Sequence, residues 1–285
     1  MLVRIISGSI GAIVLGLVLY LKDTFVFNLA LAVLTSIAIF EVIRAFGLNK
    51  HKSLVIAGIS YGFLSVALLE IRFVYSLLFT YAGLFLDVAF AFALLLIMLF
   101  SNYTIRFENI AVIFASSAFI TFGFSSYSEI NTLVSLSNKG ASIYILILCA
   151  CGAFIADTGA YFIGSLFGKH KLCPTISPKK SVEGFVGGVA INTIAFPLLG
   201  LLFSCINSSL QPNYIVLAVM GLLCAVTGCI GDLFASFIKR STGIKDFGKI
   251  MPGHGGVLDR FDSFLAVVPL MYLFITVSFM YFPVF

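Results

Sequence analysis

Two short stretches of this chain concentrate groups that can handle phosphate and a divalent cation. Asp157 to Glu183 and Asp232 to Asp262 span 27 and 31 residues and carry six and nine charged side chains, 15 of the chain's 29. In the second stretch, continued as a helix, Asp232, Ser236, Lys239 and Arg240 fall at i, i+4, i+7 and i+8, which is one stripe. A carboxylate, a hydroxyl and two cations would then face one cavity. Pro252, Gly253, His254, Gly255 and Gly256 break that helix, and their glycines allow a backbone to approach a ligand closely. His254 can bind phosphate there or only shape the loop. Asp259 and Asp262 follow at i and i+3, on one helical face, with Arg260 between them. Carboxylates gathered from two helices suit a hard ion such as magnesium, which keeps several waters and takes its remaining ligands from substrate phosphates.

The first stretch opens on Asp157, a carboxylate near the end of a long apolar helix with no adjacent base. Such a group faces a polar cavity, a partner or a metal, or it carries a proton. Further on, Ser177 before Pro178 reads as an N-cap and first helical residue. A helix start presents free N–H groups and a positive dipole end, and with Lys179 and Lys180 beside it forms a candidate anion site. Lys169 and Lys171 read first as topology signals. Gly184 and Gly188 have the spacing of closely packed helices.

The elements that must hold these groups are membrane helices. The chain has 285 residues, 61% hydrophobic and only 10% charged, against roughly 25% charged in an ordinary soluble domain. That balance excludes soluble enzymes, extracellular scaffolds and disordered tails. The expected fold class is all-α: a polytopic helical integral membrane protein with about nine transmembrane helices. Apolar runs cover Ile5 to Leu21, Phe25 to Ile43, Leu54 to Ile71, Val74 to Phe100, Ile110 to Ser126, Ile143 to Gly164, Phe185 to Cys205, Tyr214 to Ile230 and Phe264 to Phe282. Nine spans put fourteen of the seventeen Lys and Arg residues on one side, leaving Lys22, Arg72 and Lys139 on the other. By the positive-inside rule the N-terminus and the charged loops are cytoplasmic and the C-terminus is outside. Residues 1–140 supply spans one to five and residues 141–285 the catalytic spans six to nine, within one integrated membrane domain. Asp87, within span four, reads as a packing or partner carboxylate. The six cysteines show no C-x-x-C pair and read as apolar filler.

The stretch from Ser236 to Asp262, S-F-I-K-R-x4-K-D-F-G-x3-P-G-H-G-G-V-L-D-R-F-D, closely resembles the signature of phosphatidate cytidylyltransferases, also called CDP-diacylglycerol synthases. Asp157-Thr-Gly-Ala-Tyr161 and Ser177-Pro-Lys-Lys-Ser-Val-Glu-Gly184 resemble a second pair of that family's motifs. The resemblance implies transfer from CTP to phosphatidate with magnesium, one ion or two, in a cell membrane. It places metal-binding aspartates on Asp232 and Asp259, phosphate-contacting cations on Lys239 and Arg240, and the signature loop on Lys245 to Asp262. The expected catalytic set is therefore Asp232, Ser236, Lys239, Arg240, Asp259 and Asp262. Substrate would be bound by Asp157, Lys179, Lys180, Lys245, Asp246, His254, Gly255, Gly256 and Arg260. One departure stands out: the family usually has Gly-Asp-Leu-x-Glu-Ser, and here Ala235 replaces the acid, a loss that Asp259 and Asp262 could compensate.

The implied partners are CTP, phosphatidate and the bilayer, with no nucleic acid; assembly as a homodimer is left open. Another lipid phosphate could replace phosphatidate as acceptor. The CDP-alcohol phosphotransferases need a D-G-x2-A-R pattern that the chain lacks. A transporter using Asp157 and Asp232 as ion or proton sites is the non-enzymatic alternative. Charges clustered at one face beside glycine loops, instead of along a path across the membrane, argue against it.

Overall fold

Runs of about twenty apolar residues must satisfy their own backbone groups in lipid, which a helix does within one segment. The computed structural model describes residues 2–69, 76–102, 104–137, 139–251, 253, 255–281 and 284. Among them are nine α-helices: α1 (Leu2–Tyr20), α2 (Phe25–Ala45), α3 (Lys52–Ala67), α4 (Ser76–Leu99), α5 (Phe107–Ser137), α6 (Lys139–Phe167), α7 (Val182–Ile206), α8 (Tyr214–Ser241) and α9 (Leu258–Tyr281). A two-stranded antiparallel hairpin, β1 (Lys171–Cys173) and β2 (Ser177–Ser181), joins α6 to α7. Helices α2 and α4 to α9 each hold a stretch long and apolar enough to cross a membrane. Side chains such as Phe85, Leu166 and Ile215 are more than 70% exposed, as lipid-facing positions require. The protein is a polytopic helical membrane protein.

By their contacts the elements form two compact units, Met1–Ser128 with Thr242–Arg260, and Glu129–Ser241 with Phe261–Phe285. In the first, Gly58 and Gly62 let α3 lie against Ile39 and Ile43 of α2; a Cβ on Gly58 would come within 2.9 Å of Ile43. The Tyr61 ring stacks on Phe90 of α4 at 4.1 Å, and its hydroxyl donates to Asp87 Oδ1 at 2.9 Å. The carboxylate in the middle of span four is therefore a packing group, as its isolation in the sequence suggested.

In the second unit α6, α7 and α8 pack in sequence. A Cβ on Gly184 or Gly188 would lie 2.7 Å from the carbonyl oxygens of Ala160 and Ala156, so this glycine pair sets the α6–α7 approach. Asn192 of α7 is fully buried, and its Nδ2 donates to Gly152 O at 3.3 Å and Gly221 O at 2.8 Å, pinning α7 to both neighbours. All six cysteines are free thiols.

One local expectation is corrected. Ser177 and Pro178 do not start a helix; they open β2, where Ser177 pairs with Cys173 and Ser181 with Lys171. A proline costs little in a two-stranded edge pairing. Helix α7 begins at Val182 instead, capped by Ser181, whose Oγ accepts the Gly184 N–H at 3.1 Å.

Candidate active site

The second unit assembles its charged groups from four elements. Within α6, which runs on to Phe167 beyond the helix end the sequence suggested, Asp157 Oδ2 accepts a hydrogen bond from Ser263 Oγ of α9 at 2.8 Å. Helix α8 continues to Ser241, so Asp232, Ser236, Lys239 and Arg240 share one helix, but of the four only Asp232 lines the cavity of this site, so the expectation that all four face one cavity is not met. On α9, Asp262 Oδ2 stands 4.0 Å from Lys239 Nζ, and its Oδ1 accepts the Ser263 N–H at 2.8 Å. The hairpin brings in Lys180, whose Nζ meets Asp232 Oδ2 at 2.5 Å and Cys229 Sγ at 3.8 Å. Burial pulls the Lys180 pKa down. The charge and hydrogen bond of Asp232 outweigh this and raise it above the ordinary lysine value. Lys180 is therefore a permanent cation in this setting.

These groups sit together because small residues let the helices touch. A Cβ on Gly231 would fall 2.7 Å from Asp262 O and from Ala266 Cβ, so α9 approaches α8 beside Asp232. Asp157, Asp232 and Asp262 feel one another's charge. A cavity of about 300 Å³ opens here. Asp157, Lys179, Lys180 and Asp232 supply the charged groups of its lining, and residues such as Phe185 and Val189 its apolar wall.

The hairpin that carries the lysines is held at both ends. The Glu183 carboxylate, in the first turn of α7, accepts the N–H groups of Lys169 at 3.0 Å and His170 at 3.2 Å, and meets His170 Nδ1 at 2.6 Å. Arg240 Nε donates to Ile176 O, in the hairpin turn, at 3.4 Å. Arg240 thus supports the segment bearing Lys179 and Lys180. Ser236 is buried on α8, and so is Ala235.

The signature loop, described within the first unit, is organised around Asp259. Its Oδ2 accepts the N–H groups of Phe247 at 2.7 Å and Gly256 at 2.9 Å. Gly243, Gly253 and Gly255 have positive φ, and Met251 and Gly255 exchange two backbone hydrogen bonds across a tight turn. Lys245, Asp246 and Arg260 are exposed, whereas Gly256 is buried. Pro252 and His254 lie outside the described residues.

Sequence reasoning missed three groups. Glu41 and Arg44 of α2 bind this loop: Glu41 accepts the N–H groups of Val257 and Leu258, and Arg44 donates to Phe247 O. The signal available was a carboxylate within an apolar run, an expensive placement that demands a partner. Ser263, the partner of Asp157, carried no such signal.

Hard carboxylate oxygens are the donors on offer for a metal. Among the described residues no three His, Cys, Asp or Glu side chains converge to hold an ion by themselves. Magnesium takes one or two protein carboxylates and completes its shell with water and phosphate oxygens.

Fold and site together define a polytopic membrane protein with lysines and aspartates gathered around one cavity. The chain belongs to the Cytidylyltransferase family, whose profile matches residues 2–278. It is 35% identical over 272 residues to a phosphatidate cytidylyltransferase of Bacillus subtilis (strain 168), covering 94% of this chain and 95% of that protein. Phosphatidate cytidylyltransferases of Staphylococcus saprophyticus and Staphylococcus aureus (strain COL) are 38% and 37% identical over 184 residues, 65% of this chain and 66% of each relative.

Proposed function

We propose that this chain transfers CMP from CTP to phosphatidate, leaving CDP-diacylglycerol in the bilayer and releasing pyrophosphate. A phosphatidate oxygen attacks the α-phosphorus of CTP. The bond from that phosphorus to the oxygen bridging to the β-phosphate breaks, and pyrophosphate leaves with the electron pair. A phosphate monoester already carries roughly −1.5 to −2 charge near neutral pH, so no protein nucleophile is needed. Two polyanions must nevertheless be brought together, and that asks for placed cations and fixed orientation.

The observation that carries the reading is the Lys180–Asp232 pair, 2.5 Å apart, lining the same cavity as Asp157 and Lys179. Its lysines suit a phosphate, and the apolar wall beside them suits the start of an acyl chain. Lys239, on the same helix as Asp232, adds a further ammonium group for phosphate oxygens. Magnesium bound by Asp232 and Asp259, as the sequence motif assigns, would offset charge on the phosphates. Asp262, one turn beyond Asp259 on α9, supplies a further carboxylate where Ala235 supplies none. The N-terminus and charged loops face the cytoplasm, a reading supported by the fourteen-to-three partition of Lys and Arg.

The purified protein in detergent, given labelled CTP, phosphatidate and magnesium, is expected to form labelled CDP-diacylglycerol. ATP, GTP or UTP should not replace CTP, and chelation should stop the reaction. A wild type that forms no nucleotide-dependent lipid product overturns the reading. Full activity in Asp232→Asn or Asp259→Asn overturns the metal assignment alone.

A further inference from the structure

Glu41 lies near the end of α2 in a helix that is mostly apolar, and its side chain is completely buried. A carboxylate taken out of water is strongly unfavourable unless hydrogen bonds compensate it. The compensation comes from the loop leading into α9. Glu41 Oε1 accepts the Val257 N–H at 3.1 Å and Oε2 accepts the Leu258 N–H at 2.8 Å. Arg44, one turn further along α2, donates to Phe247 O at the other end of the same loop. On the loop's own side, Asp259 takes the N–H groups of Gly256 and Phe247. The consecutive amides of Gly256, Val257 and Leu258 are thus divided between two carboxylates, one from the loop's own helix and one from α2.

The glycines of the loop fit this arrangement. A Cβ at Gly248 or Gly256 would collide with Glu41 Oε1. At Gly256 the Glu41 carboxylate alone fills the space a side chain would need, and at Gly248 it does so together with the Gly256 backbone. Phe247 and Val257 are each 1% exposed and fasten the loop by apolar burial as well. Losing Glu41's charge should therefore leave the loop attached but free to turn.

We infer that Glu41 is a positioning residue for nucleotidyl transfer: from α2 it fixes the orientation of the loop that delivers Asp259, without itself reaching substrate. The functional half of this inference rests on the reading proposed above; the structural half does not.

Glu41→Gln keeps the shape of the side chain but turns one acceptor into a donor, setting an N–H against an N–H. In purified protein with wild-type yield and melting behaviour, kcat is expected to fall ~10- to 100-fold, the scale of an ångström-sized misplacement at a reacting centre. The KM for phosphatidate should hold and the magnesium requirement should rise. Glu41→Asp, which keeps the charge on a shorter stem, should recover part of kcat. Gly256→Ala should be damaging alone but add less than about threefold in a Glu41→Ala background, because coupled sites are not additive. Hydrogen exchange at Val257 and Leu258 should quicken in Glu41→Gln whether or not the assay yields lipid product.

Unchanged exchange, or unchanged kcat and magnesium dependence beside an active wild type, overturns the inference. So does a loss of activity that tracks only the loss of folded protein. An inactive wild type whose Glu41→Gln variant exchanges faster supports Glu41's hold on the loop and overturns the cytidylyltransferase reading instead.

Discussion

Lys180 and Asp232 form an ion pair at 2.5 Å, with each side chain about three-quarters buried. The pair links the β-hairpin to α8 and leaves a fixed ammonium group beside Asp157. Lys180→Met should therefore remove a phosphate partner and expose Asp232 to the charges of Asp157 and Asp262. The expected result is a loss of about 100-fold in kcat/KM, the scale of one missing electrostatic contact in a transition state. Lys180→Arg should retain more activity than Lys180→Met. Equal activity in all three proteins would mean that the pair only holds the hairpin.

The same pair has a defined pH signature. Although burial opposes the charge on Lys180, Asp232 raises its pKa above the ordinary 10.5. The folded protein then binds that proton more tightly than the unfolded chain. The stabilisation is complete below the ordinary value and disappears as pH rises through the raised one. Thermal unfolding of wild type and Lys180→Met should differ by a constant margin between about pH 6 and 9 and converge only above about 10.5. Convergence near neutral pH would contradict this setting for Lys180.

The start of α7 can be tested directly. Ser181→Ala removes the oxygen that accepts the Gly184 N–H and should cost about 1 kcal/mol of stability. Ser177→Ala, in β2, removes no helix cap and should cost clearly less. The reverse order in unfolding experiments would restore Ser177 as the cap.

These residues also show where the sequence could be read and where it could not. The Asp232, Ser236, Lys239 and Arg240 stripe was legible because charges are scarce here and helical spacing is local. The same locality misled at Ser177 and Pro178. A serine before a proline is a sound helix signal within five residues, but pairing with Lys171–Cys173 decided the outcome. Glu41 was harder still. Its partners Val257 and Leu258 lie 216 and 217 positions away in the chain, and no spacing within α2 points to them. Asp87 fell between these cases: its isolation suggested packing, and only the fold supplied Tyr61.

Tyr61→Phe gives a stability change that should leave chemistry alone. It removes the hydroxyl that donates to Asp87 but keeps the ring stacked on Phe90. Asp87 would then lack that partner in an otherwise apolar pair of helices. A stability loss of about 1–3 kcal/mol is expected from an unsatisfied group of this kind. Specific activity of the folded protein should be unaltered. A large fall in kcat without loss of stability would place Asp87 in the reaction and not in packing.

Gly231 and Gly228 offer the sharpest geometric contrast. They lie three residues apart on α8 and both face α9, but the space above them differs. A Cβ on Gly231 would meet Asp262 O and Ala266 Cβ at 2.7 Å, and a backbone oxygen cannot swing aside. A Cβ on Gly228 would meet Val267 Cγ2 at 3.3 Å and Ser263 Cβ at 3.7 Å, contacts that a side chain can accommodate. Gly231→Ala should thus push α9 outward where Asp262 and Ser263 sit, costing about 1–3 kcal/mol by overpacking. Because Ser263 holds Asp157 and Asp262 faces Lys239, the displacement should also lower kcat at least about tenfold. Gly228→Ala, one turn away on the same helix, should stay within about threefold of wild type. If both variants lose activity equally, the α8–α9 seam matters only as general packing; if neither does, the close approach at Gly231 has no part in aligning the carboxylates.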